Sequence, residues 1–286
     1  MIYELDTHKH IGDHVILTGA VRNVRAVYPD IKFSIPTNYA EIFENNRDFC
    51  IETGVRLPRI TYGTLYEEQR ALNGNLVEGF TKSLCKAIGV EEVKPVTKTP
   101  YIVLTDEEKE RAKIWQGKWL VNATFQTCGV SKGYPWWEFV ISTLNSSGLQ
   151  LVQIGGNESR DISCNLDGVL DMRGKTSIRD LITMIYGCEG IITPPSCSMN
   201  IGAAFGKKMV VIVGGRELPQ LSGYENVKYI EGHCDKCGWG NDARCVSLRF
   251  YGSRACNYFG TIDGLQWCDC MINIEPHDIT DAVLNA

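Results

Sequence analysis

Residues 174–214 read GKTSIRDLITMIYGCEGIITPPSCSMNIGAAFGKKMVVIVG, and this stretch decides the fold. A helix-like segment leads into a short apolar strand, Gly190-Ile-Ile-Thr193. A bend of small residues follows, Pro194-Pro-Ser-Cys-Ser198, then a helix from Met199 to Phe205 and a second apolar strand from Met209 to Val213. Apolar strands alternating with helices indicate a mostly parallel sheet. The bend then stands at the carboxyl end of a buried strand, where the N–H groups opening the next helix face outward with partial positive charge. Such a place suits an anion, and the diphosphate of a nucleotide is the expected one.

Outward from this stretch the same alternation recurs. On the N-terminal side, Trp119 to Ala123 reads as a strand, Thr124 to Pro135 as a loop, Trp136 to Ser146 as a helix and Leu149 to Ile154 as a strand, closed by the turn Gly155-Gly-Asn157. At the start of the chain, Met1 to Leu5 is a strand, Ile11-Gly12-Asp13 a turn, Val15 to Tyr28 a helix with apolar residues near helical spacing, and Ile31 to Ile35 a strand. A helix is expected from Leu65 to Ile88, stopped by Gly89, and a loop from Pro95 to Pro100. Thr105 followed by Glu108 is the pattern of a capping box. Asp278 to Leu284 reads as a final helix with Asp278 as its N-cap. Two sets of alternating elements with a break near Ile114 to Lys118 give two α/β domains, residues 1–117 and 118–286.

The chain has 286 residues, 44% of them hydrophobic and 22% charged, the balance of a soluble globular protein. Its net charge of −5 argues against electrostatic capture of nucleic acid or of an anionic membrane. No apolar run reaches the roughly 20 residues of a membrane span. The opening residues lack the basic start and apolar core of a signal peptide, so the cytoplasm is the expected compartment. Oligomeric state stays open, and a homo-oligomer is compatible with the sequence.

The 12 cysteines divide unevenly. Cys50, Cys85, Cys128, Cys164, Cys188 and Cys197 are scattered, as small buried apolar residues are. Cys234, Cys237, Cys245, Cys256, Cys268 and Cys270 crowd the C-terminal end. A Cys-x2-Cys knuckle with further cysteines downstream is the pattern of a tetrahedral zinc or iron site, and in the cytoplasm it outranks disulfides. Cys234, Cys237, Cys256 and Cys270 are the expected ligands, with Cys268 able to replace Cys270; four thiolates leave no open position, so the ion is structural.

Two further residues carry two readings each. Asp13 is a first-turn acid that stabilises its helix, or a carboxylate placed to take a proton. Lys132 is a solvated loop charge, or a cation that stabilises a departing phosphate. The pair Gly155-Gly156 is a tight turn or a place where a ligand approaches the backbone. Thr176 reads as a helix N-cap.

In order and spacing these features resemble glycosyltransferase family 9, the heptosyltransferase-like enzymes of GT-B architecture. The likeness runs from about Ile11 to Tyr229. It rests on Ile11-Gly12-Asp13 with Thr18 and a helix ending at Tyr28-Pro29. It rests also on Ala123-Thr124 with Lys132 and Tyr134-Pro135, Leu151 to Gly156, Gly174-Lys-Thr-Ser-Ile178, and Ser196 to Ala204. The resemblance implies two Rossmann-like domains facing a cleft. It implies transfer, with inversion, of a heptose or related sugar from an ADP- or GDP-linked donor to an acceptor hydroxyl on a glycan or protein. Asp13 would be the general base and Lys132 a phosphate contact, with no catalytic metal. Gly12, Thr124, Gly155, Gly156, Met172, Gly174, Thr176, Ser196, Cys197, Ser198, Met199 and Asn200 would line the donor site.

The chain departs from the family at its bend. Where the family has Asp-Ser-Gly-Pro-Met-His, this sequence has Pro195-Ser-Cys-Ser-Met-Asn200, so the donor-sugar aspartate and the histidine are absent. The autotransporter-modifying branch of the family also lacks both, and carries a four-cysteine iron finger with a Cys-x2-Cys-Trp-Asn-Asp run similar to Cys237-Gly-Trp-Gly-Asn-Asp242. Two alternatives stay open: a catalytically degenerate interaction module built on the metal finger, and a GT-B enzyme, an epimerase or a transferase acting on a modified nucleobase.

Overall fold

The computed structural model describes residues 1–6, 10–50, 57–61, 63–64, 75–126, 132–157, 161–214, 219, 223–234 and 259–286. Strand β1 (Ile2–Asp6), helix α1 (Ile11–Val27) and strands β2 (Lys32–Ser34), β3 (Phe49–Cys50) and β4 (Arg59–Thr61) begin the chain. They form a four-stranded parallel sheet in the order β3-β2-β1-β4. Leu5 pairs with Ile60 and Tyr3 with Phe33, and α1 covers the sheet through Ile16, Leu17, Ala20, Val21 and Val24, all buried.

Ile11-Gly12-Asp13 is no separate turn but the first turn of α1, with His10 in the N-cap position. Helix therefore starts four residues before the apolar periodicity at Val15 reveals it. An acid in the first turn is favoured by the unpaired N–H groups there, so Asp13 suits the place. Helix α2 (Leu76–Ile88) packs on α1, capped by Asn75 at one end and by Gly89, with φ +72°, at the other. Residues 65–74 of the expected helix lie outside the described residues. At Gly19 a Cβ would strike the Thr99 carbonyl oxygen and stand 3.0 Å from Val77 Cγ1, so the residue must be small where α1, α2 and the 95–100 loop meet. Asn23 pins that loop: its amide donates to Thr81 Oγ1 and the Thr97 carbonyl, both at 3.0 Å, and accepts from the N–H groups of Val96 and Thr97 at 2.9 Å.

Helix α3 (Asp106–Ala112) opens with the capping box of Thr105 and Glu108, both hydrogen bonds formed, and runs through a 3₁₀ turn (Lys113–Trp115) into β5 (Lys118–Asn122). Then come β6 (Thr124–Gln126), α4 (Trp137–Ser146), β7 (Gln150–Ile154), β8 (Asp161–Ser163) and β9 (Leu170–Asp171). The expected 124–135 loop thus contains a short strand, because β6 pairs antiparallel with β8. Helix α5 (Ile178–Gly187), β10 (Gly190–Thr193), α6 (Cys197–Ala204), β11 (Lys208–Val213) and β12 (Val227–Glu231) complete the sheet. Thr176 is not the cap of α5; Ser177 is, because Asp180 three residues on closes a box with it. Helix α6 starts at Cys197, two residues before the expected Met199, since only Ser196 remains extended.

The second sheet has six parallel strands in the order β12-β11-β10-β5-β7-β9. Its first three strands in sequence step one way from β5 and its last three step the other way. Its central strands β5, β10 and β11 are buried on both faces: Val121, Ile192, Val210 and Ile212 lie in the cluster with α4, while Leu120, Ile191 and Val211 lie in the cluster with α5 and α6. Trp119 fills the space a Cβ at Gly190 would need, 2.6 Å away. The hairpin β13 (Phe259–Ile262) and β14 (Leu265–Cys268), the turn α7 (Asp269–Ile272) and α8 (Pro276–Leu284) end the chain. Helix α8 starts at Pro276, with Glu275 rather than Asp278 in the N-cap position, because proline at the first helical residue is pre-set in φ and loses no hydrogen bond. Among the described residues no helix is long and apolar enough to cross a membrane.

Candidate active site

In an open parallel sheet, ligands bind where the strand order reverses, outside the carboxyl ends of the two diverging strands. Here those strands are β5 and β10, which end in Asn122 and Thr193. Both end residues are buried and polar, and both hold the bend that follows β10. Thr193 Oγ1 donates to the Pro194 carbonyl at 2.8 Å and lies 2.9 Å from Ser196 Oγ. Asn122 Nδ2 donates to Ser196 Oγ and Ser198 Oγ, each at 3.3 Å, while its Oδ1 accepts from the Thr124 N–H at 3.1 Å. A polar residue closing an apolar run, as in Trp-Leu-Val-Asn and Gly-Ile-Ile-Thr, is the signal in the sequence that marks these two.

The bend delivers Ser196 in extended conformation and then α6, whose first N–H groups have no intrahelical acceptor. Lys132 reaches this bend from the other diverging connection: its Nζ donates to the Pro195 carbonyl at 2.7 Å. The lysine's loop is anchored behind it. Gly133 sits against Phe125 and Trp267, where a Cβ would come within 2.7–2.9 Å of their rings, and the buried Tyr134 hydroxyl donates to the Ile274 carbonyl at 3.2 Å. Burial pushes the Cys197 thiol up, outweighing its bonds to Ser198 and the charge of Lys132, so it stays a neutral thiol.

The first turn of α1 faces the first turn of α6. A Cβ on Gly12 would stand 3.3 Å from Asn200 Nδ2 and 3.9 Å from the Cys197 nitrogen. Asn200 Nδ2 donates to the Gly12 carbonyl at 3.4 Å, and its Oδ1 accepts from the Tyr224 hydroxyl at 2.9 Å. Asp13 is buried beside this contact. Its neighbour His14 is fixed by a carbonyl on one side: Nδ1 lies 2.8 Å from the His10 oxygen, so Nδ1 carries the proton, and Nε2 lies 2.8 Å from Thr37 Oγ1. Burial pulls the His14 pKa below its usual value, against the pull of Asp13.

A second rim forms at the ends of β7 and β9. Gly155 has φ +148°, and the Thr124 side chain occupies the place of its missing Cβ. The Gly155 carbonyl accepts from the Gly174 N–H at 3.0 Å, and Gly174, with φ +63°, sits against Asn157. Met172 is half-buried next to it, its N–H bonded to the Gln153 carbonyl, while Gly156 is exposed and Thr176 half-buried. The donor-site residues expected from the sequence thus fall into two groups. Gly12, Lys132 and Ser196 to Asn200 meet at the switch point; Thr124, Gly155, Met172 and Gly174 line the neighbouring strand ends. Ser198 and Met199 are buried.

No family model and no curated protein sequence matches the chain. Solved structures do. ADP-heptose LPS heptosyltransferase II of E. coli aligns over 100% of this chain and 98% of its own, with 12% identity and a TM-score of 0.62. The glycosyl transferase family 9 protein of Veillonella parvula DSM 2008 aligns over 99% and 96%, with 13% identity and a TM-score of 0.63. TibC of enterotoxigenic E. coli H10407, an iron-containing dodecameric glycosyltransferase, aligns over 99% and 77%, with 14% identity and a TM-score of 0.67.

The chain has the heptosyltransferase fold, α/β and GT-B-like. Within this fold Cys234, Cys268 and Cys270 pack against the second sheet. Cys234 follows β12, Cys268 ends β14 and Cys270 lies in α7; all three are buried in the cluster that also holds α4 and α8. Gly232 abuts the Cys270 carbonyl, which brings the approach to Cys234 against α7. Among the described residues no three His, Cys, Asp or Glu side chains are grouped to hold an ion. Cys237, Cys245 and Cys256 lie outside the described residues.

Proposed function

We propose that the chain is a glycosyltransferase that moves a heptose or related sugar from an ADP- or GDP-linked donor to an acceptor hydroxyl. The observation that supports this most is the meeting of three segments at the switch point. The Lys132 loop touches the 194–198 bend, and the Gly12-Asp13 turn stands across from it. The proteins of like fold include one solved with ADP-D-β-D-heptose, which favours a nucleotide-sugar at this crevice.

In this reading Asp13 takes the proton of the acceptor hydroxyl as its oxygen attacks the anomeric carbon. The bond from that carbon to the diphosphate oxygen breaks, and the nucleoside diphosphate leaves with the electron pair. Attack from the face opposite the leaving group inverts the centre. Lys132 and the N–H groups at the start of α6 offset the negative charge that develops on the diphosphate. Thr124 and Gly155 would border the donor from the neighbouring strand ends.

We further infer that the cysteine tail holds one structural zinc or iron ion, with Cys234 and Cys270 among its ligands. The burial of Cys234, Cys268 and Cys270 in one cluster supports it, as does the iron of TibC. The ion would tie the tail to the sheet and take no part in the transfer.

The test is mass spectrometry of the protein with pooled ADP- and GDP-sugars, with and without glycan acceptors. Release of nucleoside diphosphate or a mass gain on the acceptor is expected. The absence of both, with no thermal shift by ADP or GDP, overturns the reading.

A further inference from the structure

Asn200 takes the position where the family pattern has histidine, and its carboxamide is bonded within the protein. It lies one turn into α6 and is only 5% exposed. Its amide is engaged at both ends and in opposite directions. On one side the Tyr224 hydroxyl donates to Oδ1 at 2.9 Å; on the other Nδ2 donates to the Gly12 carbonyl at 3.4 Å. Burial pushes the Tyr224 phenol up, so its proton is retained. The orientation of the amide is therefore determined. A flipped Asn200 would set its oxygen against the Gly12 carbonyl, two acceptors face to face. Gly12 lacks the Cβ that would stand 3.3 Å from Nδ2, so the backbone of α1 approaches the amide without obstruction.

The contact joins a helix of the first sheet to a helix of the second, and the residue after Gly12 is Asp13. We propose that Asn200, oriented by Tyr224, is a positioning residue: it sets the distance between the Asp13 turn and the diphosphate-binding bend. This rests on the reading of Asp13 as the proton acceptor. A carboxylate on the first turn of a helix moves with that turn. Transfer depends on reacting groups held within a fraction of an ångström, and displacement of about 1 Å costs on the order of 100-fold in rate.

The experiment compares Asn200→Ala, Tyr224→Phe, Asn200→Ala/Tyr224→Phe and Asp13→Ala. Turnover is followed as release of nucleoside diphosphate from pooled ADP- and GDP-sugars. Affinity is measured with ADP and GDP, and amide hydrogen exchange across residues 11–16 reports on the turn itself. Asn200→Ala is expected to lower kcat by about 10- to 100-fold and to speed exchange in residues 11–16, with nucleotide affinity within about threefold of wild type. Tyr224→Phe removes one oxygen from an otherwise intact core; it should show the same split, and the double variant should be no worse than Asn200→Ala alone. Weakened nucleotide binding with unchanged kcat in either single variant makes Asn200 a ligand and overturns the proposal, as does unchanged exchange in residues 11–16. If Asp13→Ala retains transfer, the base reading fails instead, whatever Asn200 does.

Discussion

Arg179 on α5 grips Glu108 on α3 with two prongs, Nε to Oε1 and Nη2 to Oε2, the latter at 2.7 Å. The same guanidinium donates to the Glu41 carbonyl at 3.2 Å and to the Val103 carbonyl, and Glu44 approaches its Nε at 3.6 Å. One side chain of the second sheet's helices thus ties down the 3₁₀ turn Ala40–Phe43, the connecting segment and α3. Nearby, Gly187 omits the Cβ that would hit the Ala112 carbonyl, so α5 and α3 lie close. Both charged groups are buried. Removing one leaves the other without compensation, so Arg179→Ala should destabilise the fold by about 3–5 kcal/mol, while Arg179→Met with Glu108→Leu should recover much of the loss. Urea midpoints at pH 7.5 check this; a shift of Arg179→Ala within about 0.5 kcal/mol of wild type would mean that the pair adds little.

Two groups tilt stability the same way with pH, in separate windows. His14 is held neutral by burial, its folded pKa below 6.5, so the unfolded chain binds a proton that the folded chain refuses as pH drops below that value. Glu108 is held below its ordinary 4.5 by Arg179; its contribution is present above that pH and is lost as pH falls towards the folded value. Melting temperature should therefore decline first between about pH 6.5 and 5, and again below about 4.5. His14→Gln should flatten the first decline and leave the second. A His14→Gln profile parallel to wild type above pH 5 would show that another group titrates there.

How much of this was readable from the chain depends on how local each determinant is. Gly190-Ile-Ile-Thr193 and Met209 to Val213 announce themselves because both faces of those strands are covered. Thr105 with Glu108, and Gly89, declare helix ends because capping acts within a single turn. Thr176 and Ser177 are both competent caps, and the choice falls on Asp180, a side chain three residues past the right one. Strand order is not local at all. Asn122 and Ser196 are 74 residues apart and Asn200 and Gly12 are 188 apart, and nothing in either segment alone encodes the meeting. Thr18 of the family motif proves to be a backbone support, its Oγ1 accepting from the Tyr101 N–H at 2.8 Å.

In the proposed reaction Asp13 and Lys132 act on opposite ends of the transfer, so their variants should separate. Asp13→Ala removes the proton acceptor and should lower kcat by about 10²–10⁴-fold with ADP and GDP affinity near wild type. Lys132→Met removes a cation from the bend and should lower both nucleotide affinity and kcat, the latter by about 10²–10³-fold. Isothermal titration with ADP and GDP, beside turnover of the pooled donors, distinguishes them. Equal losses of affinity in both variants would contradict the division of roles.

Gly155 tests the second rim. Its φ of +148° is open to glycine, and Thr124 stands where a Cβ would go. Gly155→Ala must bend the backbone or push Thr124 aside, at a cost of about 1–3 kcal/mol. Thr124 is tied to the Asn122 carboxamide that holds the bend. Its displacement should therefore weaken nucleotide binding as well as stability. Gly156→Ala, on an exposed residue, serves as the comparison and should change neither by much. A Gly155→Ala protein with normal melting and normal ADP and GDP affinity would remove the rim from the site.

The cysteine tail makes the last separation, between stability and chemistry. Cys234, Cys268 and Cys270 are buried with Met271, Ile274 and the α8 residues Ile279 and Val283. If an ion joins this cluster to Cys237, Cys245 or Cys256, elemental analysis of the purified protein should find about one zinc or iron per chain, as four thiolates close one tetrahedral site. Cys234→Ser and Cys270→Ser should each lower that content and the melting temperature together. Chelation should do the same to wild type, because metal-binding free energy in such a site is folding free energy. Lys132 and the 194–198 bend are joined through Pro195, and the bend is held to the strand ends by Asn122 and Thr193. Chelated protein kept below its lowered melting temperature should therefore still bind ADP or GDP. Loss of nucleotide binding before any loss of fold would place the ion in the active site instead of the scaffold, and near-zero metal in the wild-type protein would remove it altogether.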